Sequence, residues 1–143
     1  MTTPFAPVIR SQADLQAAWR QLIKPLGFHR RSLWLLLIGQ DDRPTPVITE
    51  VTDLPELFDA ETADNLAGAL LRLTPEVDPH GRWAFLCSRP GGGGPNEADR
   101  AWAGGLYAVC RRHGLAHDVI HLATDTELFP VPLDDVTDYV RAS

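Results

Sequence analysis

The stretch Trp83-Ala84-Phe85-Leu86-Cys87-Ser88-Arg89-Pro90-Gly91-Gly92-Gly93-Gly94-Pro95-Asn96-Glu97-Ala98-Asp99 decides how the rest of the chain is read. Its opening, 83–87, is a short apolar run stopped by turn formers, the pattern of a buried strand. The glycine-proline middle interrupts regular structure. Asn96 is a good helix cap, and beyond it Ala98, Trp102, Leu106, Val109 and Cys110 recur at four and three residues. The spacing predicts a helix over 97–113, closed by Gly114, where a left-handed residue commonly ends a helix. A glycine-rich loop between a strand and a helix is where α/β proteins usually place their chemistry.

Working outward, residues 119–123 form a second buried apolar run. With 83–87 and the intervening helix they make a β-α-β crossover, expected to be right-handed. Upstream, 33–38 is apolar throughout, which suits a strand covered on both faces. The polar stretch 39–44 turns the chain, and 47–51 returns as an antiparallel partner. Ser11 caps a helix whose apolar positions Leu15, Ala18, Trp19, Leu22 and Ile23 share one face, ended by Pro25 and Gly27. Ala63, Leu66, Ala67, Leu70 and Leu71 mark another helix, started by Asp59 or Thr62, and 74–81, with Pro75, Pro79 and Gly81, reads as the loop after it. An edge strand over 127–129 and a short helix over 133–140 complete the chain. The expected fold class is α/β (α+β): an N-terminal arm over 1–8, then one domain over 9–143 with a mixed central sheet flanked by helices.

Bulk properties narrow the function classes. The chain has 143 residues, 44% of them hydrophobic, enough for one ordinary core. A net charge of -6 argues against nucleic acid and anionic lipid, both of which call for a basic surface. The basic residues Arg10, Arg20, Lys24, Arg30 and Arg31 read as a solvated face. One lysine among 13 basic residues, with abundant alanine and proline, reads as the codon bias of a GC-rich bacterial genome. No signal peptide or membrane-length apolar run is seen, and two cysteines, Cys87 and Cys110, read as reduced thiols, so the expected compartment is the cytoplasm.

Each candidate site has a competing plain reading. Four consecutive glycines before a helix resemble a phosphate cradle. However, no Lys-Ser/Thr pair closes a P-loop, the dinucleotide spacing breaks at Asn96, and Glu97 and Asp99 put negative charge in the first helical turn. Cys87, Asp99, His117, Asp118 and His121 are the nearest metal donors, with His29, His80 and His113 elsewhere. His117 and His121, four apart on one strand, would share a face, but no paired metal motif is present. Cys110 lies on an apolar helix stripe and reads as core. Ser88 lacks a nucleophile-elbow context. Arg89 at the strand end could clamp an anion, which makes Arg89, Gly91, Gly92, Asn96 and His121 the candidate ligand-binding set.

The order of elements and the loop resemble the JAB/MPN (JAMM) superfamily, in particular its RadC-like branch. Members carry a strand ending His-x-His-Pro, a Ser-Gly-Pro-rich loop, then Ser-x-x-Asp opening a helix. Here the strand ends Cys87-Ser88-Arg89-Pro90, the loop is Gly91 to Pro95, one residue shorter, and the helix opens Asn96-Glu97-Ala98-Asp99. The likeness covers about 9–129 and implies a JAB/MPN-like (cytidine-deaminase-like) architecture. In the family two histidines and the aspartate hold zinc, and an upstream glutamate takes a proton from zinc-bound water.

Of these, only Asp99 carries over: Cys87 and Arg89 stand at the histidine positions, and no glutamate precedes the first strand, which begins after Phe28-His29-Arg30-Arg31-Ser32. An arginine cannot ligate a metal. The resemblance therefore implies a pseudoenzyme with no catalytic residues, no resident metal and no cofactor, binding a protein partner. An Arg89–Asp99 ion pair would fill the ancestral metal positions Cys87, Arg89 and Asp99. Two alternatives stand beside it: a zinc-dependent, isopeptidase-like hydrolase using Cys87, Asp99 and a histidine such as His121, and a small anionic ligand-binding domain. No membrane partner is expected, and association of two copies as a homodimer is left open.

Overall fold

The apolar runs and amphipathic faces assemble, in a computed structural model describing residues 7–24, 26–52, 54–55 and 58–136, into one five-stranded sheet covered on both sides. In chain order the elements are α1 (Gln12–Ile23), β1 (Ser32–Ile38), β2 (Pro44–Val51), α2 (Ala60–Val77), β3 (Arg82–Ser88), α3 (Glu97–His113), β4 (Ile120–Ala123), β5 (Leu128–Val131) and a 3₁₀ turn, Leu133–Val136. The sheet order is β2-β1-β3-β4-β5. β3 and β4 are parallel, joined through α3, and the other three pairings are antiparallel. The fold is mixed α/β, as the alternation of periods indicates.

The uninterrupted hydrophobicity of β1 follows from burial on both faces. Leu33, Leu35 and Leu37 join Trp83, Phe85 and Cys87 under α2 and α3, while Leu36 and Ile38 join Ala84, Leu86 and Ala123 under α1. A strand wet on one side would have alternated with polar residues, as β2 does where it forms an exposed edge. Burying several such leucines contributes roughly 2 kcal/mol each.

The helix ends carry their own signals. Ser11 Oγ accepts the Asp14 N–H at 3.1 Å, and Asp59 caps α2 by accepting from Thr62 N at 2.7 Å. Asn96 and Asp99 form a reciprocal capping box on α3, and Gly114 takes φ 64° at its far end. α2 departs from expectation. It continues through Thr74 and Pro75 to Val77, where the polar composition of 74–81 predicts a loop. Proline removes one backbone donor, but the turn is held by side chains. Thr74 Oγ1 donates to Leu70 O at 2.7 Å and accepts the Trp83 indole N–H at 2.9 Å, pinning the helix end to β3.

Near the C-terminus, the expected helix over 133–140 is a single 3₁₀ turn as far as Val136, and 137–143 lie outside the described residues. The arm 1–8 lies outside them except for residues 7 and 8, and Pro25 does so too. Among the described residues, no helix is long and apolar enough to cross a membrane.

Candidate functional site

β3 delivers Arg89 to the top of the sheet. The Arg89 N–H still donates to Ala123 O at 3.0 Å, so the parallel pairing extends one residue past the strand. Side chains two apart on a strand share a face. Arg89 therefore stands above Cys87, on the side covered by α2 and α3, while Ser88 points the other way, its Oγ accepting the Trp34 indole N–H at 3.0 Å.

The loop then folds back on itself. Gly91 sits at φ 89° and Gly93 at φ 80°, a region that side-chain-bearing residues rarely adopt. Gly91 N donates to Asp125 Oδ2 at 2.8 Å, Asp125 N donates to Gly91 O at 2.9 Å, and Phe28 N donates to Asp125 Oδ1 at 2.9 Å. These backbone donors hold the Asp125 carboxyl below its usual range. Asp125 thereby staples the loop to the β4–β5 turn and to the approach to β1.

α3 brings Asp99 under this loop. Arg89 Nε donates to both carboxylate oxygens, at 3.0 and 2.8 Å. Arg31 Nη1 adds a bond to Oδ1 at 2.8 Å, and Asn96 N donates to Oδ2 at 2.9 Å. The Asp99 side chain is 1% exposed, so this is a buried carboxylate with every lone-pair direction in use. The guanidinium of Arg89 is in turn anchored by Pro90 O and Gly94 O, which accept from Nη1 at 3.1 Å and Nη2 at 3.2 Å. The Arg89–Asp99 ion pair expected from the sequence is present.

Arg31 is the residue that the reading as a solvated face misplaces: its side chain is 15% exposed and joins Asp99. The cause is register. β1 and β3 pair Leu33 with Cys87 and Ser32 with Ser88, and one further step sets Arg31 opposite Arg89 on the same face. Nothing local to residues 28–32 carries that information, because it depends on which strand lies beside β1.

The other candidates distribute differently. Cys87 is 4% exposed, and burial pushes its thiol up to about 12, with Arg31 pulling it down and Asp99 pushing it further up. It remains a protonated thiol at neutral pH. Cys110 is likewise buried in the core and raised to about 12 by burial.

His121 is 0% exposed and lies on the opposite side of the sheet, its Nε2 at 3.3 Å from Gln12 Nε2 in α1. Its Nδ1 lies 3.2 Å from Val119 O, a carbonyl that can only accept, so the hydrogen is on Nδ1. Burial pushes the imidazole down to about 4. His117 does not share that face. It sits before β4 in an isolated bridge to Trp83, and its ring meets Tyr107 of α3 with centroids 5.3 Å apart. The alternation assumed between the two histidines fails because β4 begins only at Ile120. Asp118 is taken by Arg82 at the other end of β3.

The positions Cys87, Arg89 and Asp99 therefore do not fit zinc. Arg89 has no lone pair to offer, Cys87 is a neutral thiol, Asp99 is fully engaged, and His121 is separated from them by the sheet. Among the described residues, no group of three or more His, Cys, Asp or Glu side chains is gathered as a metal site would need. The structure brings Arg89, Gly91 and Asn96 together around the loop, with Gly92 at its exposed tip, and does not bring His121 to it. The Gly91 and Asn96 amides, which a phosphate cradle would present, are given to Asp125 and Asp99. Compared with protein-family models, with curated proteins and with solved structures, the chain has no match.

Proposed function

We propose that this chain is a catalytically inactive, JAB/RadC-like domain that works as a protein-binding module in the cytoplasm. One observation carries the reading: the Arg89 guanidinium donates to both oxygens of Asp99, the only residue of the family's metal set retained here. A guanidinium there supplies the positive charge that a buried carboxylate requires, and it supplies it covalently, as part of the chain. The role assigned to such a domain is recognition: at the motif positions the Asp99 oxygens are fully hydrogen-bonded and Cys87 is a thiol raised to about 12.

The zinc-hydrolase alternative loses support on the same geometry, since Cys87 and His121 face opposite sides of the sheet. Metal analysis of untagged protein tests the proposal: the expected result is zinc far below one equivalent, and stoichiometric zinc lost in Cys87→Ala would overturn it.

A further inference from the structure

Two guanidinium groups converge on a single carboxylate oxygen, Asp99 Oδ1, at 2.8 and 3.0 Å. The two side chains are 15 and 8% exposed, and Asp99 is the carboxylate that both touch. On the solvent side of the pair, Arg31, Arg89, Leu54 and Pro90 line a hollow of about 320 Å³, the size of a small ligand pocket. Among the described residues Arg31 bonds protein through Nη1 alone. Arg89 uses Nε and one hydrogen of each terminal nitrogen. An arginine has five N–H donors, so both side chains keep donors for a further acceptor. Asp125 also attracts Arg89 and adds a second negative charge beside Asp99, while its two oxygens accept from Phe28 N and Gly91 N.

We propose that the Arg31–Arg89 hollow binds a small oxyanion, a carboxylate or a phosphate, with Leu54 and Pro90 against the apolar part of the ligand. Asp99 pre-orients both guanidiniums from behind, so the ordering cost of two long side chains is already met in the free protein. Planar guanidinium forks suit the two or three oxygens of such an anion better than they suit chloride. The inference rests on the metal-free reading, because a cation bound at Asp99 would expel both arginines.

The test is a titration of untagged protein with inorganic phosphate and, separately, with acetate, against sodium chloride at constant ionic strength. It follows the arginine side-chain Nε–H resonances by NMR. Saturable shifts of both arginine signals with either anion are expected, and whichever anion produces them identifies the chemistry. Arg31→Gln, which leaves the Arg89–Asp99 pair in place, is expected to weaken binding about tenfold or more while the rest of the spectrum stays folded.

Two results would overturn the site: shifts no different from those in chloride, or equal affinity in Arg31→Gln. Metal content measured on the same sample keeps the two claims separate. Metal-free protein that ignores both anions removes this site alone, whereas stoichiometric zinc removes the reading beneath it as well.

Discussion

β3 ends in an arginine at each side of the sheet, and the two ends solve the same electrostatic problem in opposite ways. At its start, Arg82 is surrounded by carboxylates: Nε donates to both oxygens of Asp118 at 3.1 and 2.9 Å, and Nη1 donates to Asp42 at 2.8 Å. Arg10 reaches Asp42 from the other side at 3.4 Å, and the cluster is wet, with side-chain exposures of 23, 34 and 28% for Arg82, Asp42 and Asp118. Past its end, Arg89 shares one buried carboxylate with Arg31, at 8 and 15% exposure. The Arg82 end is charge-matched and solvated, the behaviour of a structural clasp. The Arg89 end is much less exposed, with Asp125 adding a second negative charge near Arg89, and it lies where the likeness to a zinc-hydrolase motif falls. An ion pair that is costly to bury is a poor way to hold a loop.

Removing the central carboxylate should separate the two ends most sharply. Asp99→Ala removes the carboxylate that both guanidiniums touch and opens the capping box of α3. Chemical denaturation should show a loss of about 3–5 kcal/mol, little changed by salt because the site is buried. A loss below about 1 kcal/mol would place this end in the same class as the Arg82 end.

Acid should act first through His121, on the α1 face of the sheet. Its partner Gln12 lines the same hollow as Arg82. The folded imidazole lies at about 4 against an ordinary value of 6.5. Above pH 6.5 it is neutral in both states and costs nothing. As pH falls from 6.5 toward 4 the unfolded chain takes up the proton first, so stability drops by about 3 kcal/mol and levels off below that. Asp42, held below its usual range chiefly by its hydrogen bond to Arg82, contributes only at lower pH still. Denaturation midpoints between pH 7 and 4 should therefore fall in the wild type, and that fall should be absent in His121→Gln.

Arg82→Gln is the counterpart of the first substitution. Both carboxylates left behind can hydrate, so the loss should be about 1–2 kcal/mol and should shrink in molar salt. A salt-insensitive loss as large as that of Asp99→Ala would remove the contrast. The smallest effect is expected in the loop. Gly91→Ala places a Cβ at φ 89°, 3.4 Å from Arg89 Nη1, and should cost about 1 kcal/mol in thermal or chemical unfolding.

Most of the architecture is legible in local patterns. The α3 boundaries, the Asn96 cap and the left-handed Gly114 follow from spacing and side-chain chemistry within one element. The unbroken β1 run announces burial on two faces. The end of α2 is not legible, because what carries the helix past Pro75 is the Trp83 hydrogen bond to Thr74, a contact made only once β3 is in place. The same holds at the candidate site. Arg89 and Asp99 are ten residues apart across one loop, so their pairing can be argued from sequence. Arg31 enters through the β1–β3 register, and His117 and His121 separate because β4 starts late, neither of which composition or periodicity encodes.

The central claim is that the Arg89 guanidinium is the counter-charge of Asp99, and a double-mutant cycle tests it most directly. Wild type, Arg89→Met, Asp99→Asn and the double variant would be compared by denaturant unfolding at neutral pH. The account predicts a coupling of about 2 kcal/mol or more, with the double variant more stable than the sum of the single losses implies. A coupling indistinguishable from zero would contradict it, since Asp99 would then owe its place in the core to something other than Arg89.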